Sequence, residues 1–147
     1  MREINFRGKR VDNGEWVIGN FLETSMSGVY IIGAKMKSKK KADAVVIQDE
    51  IWQCEVLDET VGQFTGLFDK NGKEIFEGDV VIHDVYVAKY EKGKRNGIIV
   101  FFNGAFAINL LGSIYDDEYS TILPFMEMEV IGNELDNPEL LKRGEKE

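Results

Sequence analysis

Short apolar runs separated by polar, glycine-containing turns fill this chain, and the pattern predicts a mostly-β protein. The clearest hairpin pairs Ile98–Phe102 with Ala105–Ile108 across Asn103-Gly104, because Asn-Gly tolerates the positive φ angles of a tight turn. In the second arm large and small side chains alternate, which indicates a strand with two different faces. The other predicted strands are 4–6, 16–18, 29–32, 44–47, 51–54, 67–68, 75–76, 80–90, 119–123 and 126–131.

A second turn signal lies within the stretch 60–81. Asp69–Gly72 predicts a tight turn, since Asp and Asn side chains bond their own backbone and Asn-Gly accepts positive φ. Glu77–Asp79 then redirects the chain into Val80–Ile82, a β-branched run suited to a buried strand. From these features we predict that residues 60–131 close into a small SH3-like β-barrel.

The predicted elements fall into two parts. Residues 1–58 are expected to form an N-terminal β lobe, and residues 59–147 to form the SH3-like barrel with a short C-terminal helix. That helix is predicted over residues 139–142, because Asn137-Pro138 supplies an N-cap followed by proline at the first helical position. The two parts could equally be one continuous domain.

Charge is distributed unevenly along the chain. Two lysine-rich runs, 35–41 and 92–97, have no long apolar face and predict exposed loops. The formal net charge over 147 residues is nevertheless −8, and this disfavours non-specific binding to nucleic acid. The 44% hydrophobic and 30% charged content is ordinary for a soluble globular protein. Without a signal-peptide pattern or a long apolar run, the chain is expected in the cytoplasm rather than in a membrane.

One histidine and one cysteine limit the available chemistry. His83 lies in a predicted strand, where we expect it to bond a neighbouring carboxylate or backbone group rather than to act as a base. Cys54 lies in an apolar run and is expected to pack in the core. Asp69, Asn71 and Glu74 match a calcium loop only in part, since the remaining EF-hand spacing fails. We therefore predict no catalytic residue, no metal site and no cofactor.

Several segments of the chain together form a family-like pattern: 1–8, Phe64–Leu67, Asp69, Asn71-Gly72, Glu77–Asp79, 129–133 and 137–141. These segments resemble the YopX family. Small proteins carried by phages and prophages of Gram-positive bacteria make up this family, so the resemblance implies a bacterial host. It implies no activity, because the family has no known shared catalytic constellation. The chain departs from the family at Asp58, where a proline often precedes the Glu-Thr of the central run.

Two classes of function are compatible with these features. The first is a non-enzymatic, self-associating interaction module that acts on a phage or host protein, with strand 126–130 exposing an edge that pairs with an identical edge. The second is an acid-based or metal-assisted enzyme with a site between subunits, and weak nucleic-acid binding through the lysine loops is a further alternative. The candidate interaction residues are Lys35, Lys37, Lys39, Lys40, Lys41, Tyr115, Tyr119, Met126 and Met128.

Overall fold

The structure, a computed structural model, describes residues 3–25, 28–41, 44–88, 91–111, 119–122 and 126–141. Of residues 36–41, 44–49, 85–88 and 91–92 it describes the backbone alone. The strands in these ranges are β1 (Phe6–Lys9), β2 (Trp16–Thr24), β3 (Gly28–Lys41), β4 (Ala44–Val56), β5 (Gly62–Phe68), β6 (Glu74–Phe76), β7 (Asp79–Ala88), β8 (Glu91–Phe102), β9 (Ala105–Leu110), β10 (Tyr119–Thr121) and β11 (Met128–Asn133). Two 3-10 helices accompany them, Asp58–Thr60 and Pro138–Leu141.

The strands form two antiparallel sheets, which confirms the mostly-β prediction. The first sheet has the order β4-β3-β2-β1-β5-β6, and the second has the order β10-β9-β8-β7-β11. The chain divides into two compact units, unit 1 (Met1–Gln63) and unit 2 (Phe64–Glu147). The boundary that we place between residues 58 and 59 stays a prediction.

The predicted SH3-like barrel over residues 60–131 is wrong. β5 belongs to the first sheet, where Gly62 and Gln63 pair with β1, whereas β7 to β11 form a separate sheet. The end strands of that second sheet, β10 and β11, do not pair with each other in the described part of the chain, so the sheet stays open. The strand that pairs with β5 lies at the start of the chain, and local turn signals do not encode such a distant partner.

Both predicted lysine loops are also wrong, because each run lies within a strand. β3 pairs with β4 without a break from Val29 to Lys41, and residues 91–98 of β8 pair with β7. Pairing of β3 with β2 covers only residues 28–32 in the described chain, so the rest of the β3–β4 hairpin extends as a two-stranded ribbon. The partner strand contains the β-branched run 45–47, whose preference for extended backbone outweighs the polar pattern of the lysines.

The glycine-containing turns are confirmed. Between β8 and β9, Asn103 and Gly104 have φ angles of 48° and 81°, as a two-residue hairpin turn requires. Gly14 in the β1–β2 turn and Gly72 in the central turn have φ angles of 72° and 80°. These turns depend on residues that tolerate positive φ, which is why the sequence reveals them.

Each unit has its own apolar core. The core of unit 1 consists of Val29, Ile31 and Val56, against which partly buried side chains pack: Phe6, Val17, Phe21, Trp52 and Val61. In unit 2 the fully or nearly fully buried core side chains are Ile75, Val81, Ile99, Ile108 and Met128. Alternation along the strands places these residues on one face of their sheets.

At the position of the predicted C-terminal helix the described chain has a 3-10 turn, Pro138–Leu141. The amide of Leu140 donates to the carbonyl of Asn137 at 3.0 Å, which is the i to i+3 spacing of a 3-10 turn. Just before it, the Asn133 side chain accepts the amides of Leu135 and Asp136 at 3.1 and 2.9 Å. Among the described residues, no helix has the length and apolar character needed to cross a membrane.

Candidate interaction surface

Asp69 organises the central turn and ties it to β11. One carboxylate oxygen accepts the amides of Asn71 and Lys73 at 2.8 and 2.9 Å. The other accepts the amide of Val130 at 3.1 Å. The side chain is buried, and burial alone would raise its pKa, but the three backbone donors hold the pKa of Asp69 below its ordinary value. Asp69 is therefore an ionised side chain that links the central turn to β11, two segments far apart in sequence. We call this set of hydrogen bonds the clasp.

Other polar residues of the stretch 64–79, which we call the family-like segment, also hold the backbone in place through hydrogen bonds. The buried Thr65 hydroxyl donates to the Ile75 carbonyl at 2.8 Å and accepts the Leu67 amide at 3.1 Å. The buried Asp79 carboxylate accepts the Phe76 amide at 2.8 Å. Hydrogen bonds of this kind fix turns and strand ends, because buried backbone groups need partners. The family-like segment thus encodes a fold, and its acids are engaged by backbone amides.

The partial match to a calcium loop has a structural explanation at Asp69, because both of its carboxylate oxygens accept backbone amides of the turn and of β11. Across the described ranges, no group of three or more His, Cys, Asp or Glu side chains is placed to hold a metal ion.

His83 is a buried side chain of β7 with an exposed fraction of 1%. Its Nδ1 lies 3.2 Å from the carbonyl oxygen of Asp84, while its Nε2 has no hydrogen-bond partner among the described residues. Burial lowers the pKa of His83, and the positive charge of Arg95 on the paired strand lowers it further. The predicted backbone contact is present, and the ring lies away from solvent.

We expect acid to destabilise unit 2 through His83. The folded-state pKa lies below the unfolded value of about 6.5, so the unfolded chain binds a proton that the folded chain excludes. This contribution to stability is complete above that value and is lost as the pH falls towards the folded-state pKa, by up to about 1.4 kcal/mol per pH unit. Urea unfolding of the wild type at pH 7.5 and 5.5 should show the loss, and His83→Gln should show less of it. Equal losses in both proteins would contradict this role.

The predicted interaction residues are divided between the two units, and their role in association stays a prediction. Lys35 is exposed, and the backbones of Lys37, Lys39, Lys40 and Lys41 lie in β3. The side chains of those four lysines, and Tyr115 as a whole, lie outside the described residues.

Tyr119 and the two methionines belong to unit 2. The Tyr119 ring stacks on Phe102 with ring centroids 4.1 Å apart. Met128 is buried in the core and Met126 packs against it. Met128 therefore belongs to the unit 2 core, and Met126 is a partly buried neighbour of it.

We predict an exposed strand edge at residues 126–130, but in the structure contacts from the same chain cover this edge at β11. The Met128 carbonyl accepts the Lys70 amide at 2.9 Å, and the Val130 amide donates to Asp69. The Lys70 ammonium also pairs with the Glu129 carboxylate at 2.5 Å. The turn after β5 thus satisfies the outer groups of β11, which is one way in which proteins protect an edge strand.

A shallow cleft lies beside this edge in unit 2. Its lining mixes two lysines, three acids and two apolar side chains: Lys70, Ile82, Asp84, Lys94, Glu127, Met128 and Glu129. Three acids face two lysines here, so the mixed lining favours no strongly charged ligand.

A different edge, at β4 in unit 1, has no strand paired to it along most of its length among the described residues. β4 ends the strand order of the first sheet, and it pairs with β3 along its whole length. On its other side, described contacts cover only the C-terminal end, where Val56 bridges to Arg10 and the Glu55 carbonyl accepts the Val11 amide at 3.0 Å. Ile51, near the middle of β4, is 76% exposed.

Charge is separated along the β3–β4 hairpin. At one end, residues 39–41 of β3 are three consecutive lysines that pair with Val46, Val45 and Ala44. At the other end, Glu55 is exposed, and the following 3-10 helix begins with Asp58 and Glu59, which are also exposed. The hairpin is therefore basic at its tip and acidic at its base, with the acidic pair Asp49-Glu50 and the exposed Ile51 between them.

Sequence reasoning found the lysines but missed this edge. The exposed acids at the base follow a predicted strand and resemble ordinary solvated residues. The sequence does contain a signal for this edge. The lysines and the acids of the base lie on either side of a mainly apolar stretch, 44–56, which is long enough to be a single strand. An acidic pair, Asp49-Glu50, interrupts that run and predicts a turn where the strand continues.

Comparisons with known proteins agree with this fold. The crystal structure of protein EF1440 from Enterococcus faecalis is similar, with 30% sequence identity, a TM-score of 0.57, and coverage of 97% of this chain and 100% of that chain. No curated protein matches this chain significantly. Residues 5–142 match the family described as YopX protein, and these residues span nearly the whole sequence. The chain therefore belongs to the YopX family.

Proposed function

We propose that this protein is a non-enzymatic interaction module that self-associates. The observation that carries the proposal is the uncovered β4 edge with Ile51 exposed near its centre. An open edge strand presents backbone donors and acceptors to any other strand, and proteins normally cover or protect such an edge. Association with a second strand satisfies these groups and removes the exposed isoleucine from water.

Two further exposed aliphatic side chains support an interaction surface in unit 1. Ile18 and Leu22 of β2 are 44% and 41% exposed. They lie at alternate positions of one strand, so they share a face of the sheet. Single exposed aliphatic residues are common, but two on one face of the sheet whose end strand is β4 favour binding.

The family-like segment supports a structural interpretation of the acids. Asp69 and Asp79 accept backbone amides, and general acid–base catalysis instead requires carboxyl groups within reach of a substrate. We also propose that the module acts in the bacterial cytoplasm on a phage or host protein, as the phage context of the family-like motifs suggests.

Sedimentation equilibrium at increasing protein concentration tests self-association. We expect the average mass to rise reversibly above the 16.7 kDa of one chain as the concentration increases from micromolar to hundreds of micromolar. The control is the same series in high salt, which separates apolar from ionic association because salt screens exposed charge pairs. A mass equal to one chain at every concentration, in low and high salt alike, would refute the proposed function.

A further inference from the structure

We infer that Asn103 is a site of spontaneous deamidation, in which the side-chain amide is lost as ammonia and a carboxylate forms at the tip of the β8–β9 hairpin. The chain itself is the substrate, and water is the co-reactant. Asparagine followed by glycine is the sequence most open to this reaction, because glycine has no side chain to hinder the attack of its backbone nitrogen. The inference does not depend on self-association.

Four asparagine–glycine pairs occur in the sequence, and hydrogen bonds restrain two of them. In the β1–β2 turn, the Asn13 side chain bonds the Glu15 amide at 2.9 Å and the Glu15 carboxylate at 3.0 Å. The Gly14 amide beside it donates to a backbone carbonyl at 2.9 Å. In the central turn, the Gly72 amide donates to the Asp69 carbonyl at 2.9 Å. A nitrogen held in this way must break its hydrogen bond before it can attack.

The third pair is restrained within a sheet. Asn96 and Gly97 lie inside β8, where Gly97 is level with Val81 of β7 on one side and with Leu110 of β9 on the other. Gly97 is also buried. Because the strand is paired on both sides, its backbone cannot rotate to bring the asparagine side chain onto the next nitrogen without opening the sheet.

The fourth pair, Asn103-Gly104, has none of these restraints. Both residues are exposed. Among the described residues, neither the Asn103 side chain nor the Gly104 amide has a hydrogen-bond partner. Apart from its chain neighbours, no atom lies within 4 Å of the position that a Cβ on Gly104 would occupy. The attacking nitrogen and the amide carbon are therefore both accessible.

Backbone strain at Asn103 favours the reaction further. Within the described ranges it is the only residue other than glycine with a positive φ, at 48°, a conformation that a side chain makes less favourable. The Gly104 nitrogen reaches the side-chain carbon only after the backbone rotates, and rotation away from this conformation releases the strain. Local opening costs least at turn tips that few hydrogen bonds hold.

The reaction itself has two steps. In the first, the deprotonated backbone nitrogen of Gly104 attacks the side-chain carbonyl carbon of Asn103. A bond forms between this nitrogen and that carbon, the bond from the carbon to the amide nitrogen breaks, and ammonia leaves with the proton that the backbone nitrogen lost. In the second, water opens the resulting five-membered imide at either carbonyl carbon. The product is an aspartate or an isoaspartate at position 103.

This product changes the hairpin tip in charge and in geometry. Residues 96–115 contain no charged side chain, so the carboxylate is the first charge in this stretch. It lies beside Phe101 and Phe102, which are 54% and 42% exposed. An isoaspartate also adds an atom to the main chain of a two-residue turn, whose type depends on its length. We expect the modified hairpin to lose part of the pairing between Phe102 and Ala105.

Incubation of the full chain at mildly alkaline pH, followed by peptide mapping with mass spectrometry, tests the inference. Each site reports its own conversion through the mass change from amide to acid, and methylation by an isoaspartate-specific enzyme identifies the rearranged product. One hydrogen bond of ordinary net strength corresponds to about fivefold in rate, so Asn103 should react about fivefold or more faster than Asn13, Asn71 and Asn96. The control is the same incubation in guanidinium chloride, where the turns are lost and the four sites should react at similar rates.

Release of ammonia gives a second readout. The variant Asn103→Gln should lack the fast phase of ammonia release that the wild type shows, because glutamine would have to form a larger ring. Equal rates at all four sites of the folded chain, or a faster reaction at any of the other three, would overturn the inference. So would a folded chain that keeps Asn103 intact while the unfolded chain converts it, or an unchanged fast phase in Asn103→Gln.

Discussion

Asp69→Asn should destabilise unit 2 by about 2–4 kcal/mol, the largest loss we expect from a single polar substitution. Asparagine can direct its one carbonyl oxygen at the amides of Asn71 and Lys73. Its NH₂ group then faces the Val130 amide, so a donor meets a donor where the carboxylate accepts at 3.1 Å. The clasp between the central turn and β11 would open, and the Lys70 contact beside it would weaken.

Urea unfolding followed by far-ultraviolet circular dichroism measures this loss, and hydrogen exchange of the Val130 amide locates it. The matched control is Asp12→Asn, which alters an exposed carboxylate paired with Arg10 and should change stability little. Because the folded-state pKa of Asp69 is lowered, its contribution is complete above the unfolded value of about 3.9 and is lost as the pH falls below it. An Asp69→Asn protein as stable as the wild type would show that the clasp is unimportant.

The sequence predicts local turns well in this protein because single residues determine them. Gly72 and Gly104 adopt positive φ, and only glycine adopts that conformation freely. The hairpin around Asn103 is therefore visible in the sequence, as is the central turn that contains Asp69. The mostly-β character follows from these turns and from the apolar runs between them.

Strand pairing is where the sequence misleads. β5 takes its partner from β1, and no local pattern indicates that choice. The lysines of β3 form a strand because β4 pairs with them along the whole hairpin. A polar run can be extended when its partner supplies the β preference, so polarity alone does not distinguish a ribbon from a loop.

The candidate surface at β4 shows the same contrast between local features, which the sequence predicts, and strand pairing, which it does not. The lysines and the acidic base are apparent as charged runs, but their separation to opposite ends of one hairpin appears only after β4 is known to be continuous. Met128 illustrates the opposite error, because alternation with glutamates predicts an exposed edge, whereas the residue is buried against the unit 2 core. Its edge is covered by a turn from a distant part of the chain.

Ile51→Asp should abolish self-association while leaving the chain folded. The side chain is 76% exposed, so its replacement removes little packing from the isolated chain. At the β4 edge, however, a charged aspartate would replace the apolar side chain that a second copy covers in the proposed association. Burial of that charge and loss of apolar burial together should weaken self-association about 100-fold or more.

The matched control is Phe68→Asp, because Phe68 is also an exposed large hydrophobic residue, at 58%, and the substitution adds the same charge outside the β4 edge. Sedimentation equilibrium of the wild type, Ile51→Asp and Phe68→Asp at one high protein concentration is the most direct measurement of self-association through β4. The account predicts a dimer for the wild type and for Phe68→Asp, and the 16.7 kDa mass of a single chain for Ile51→Asp. A dimer of Ile51→Asp as strong as that of the wild type would contradict it.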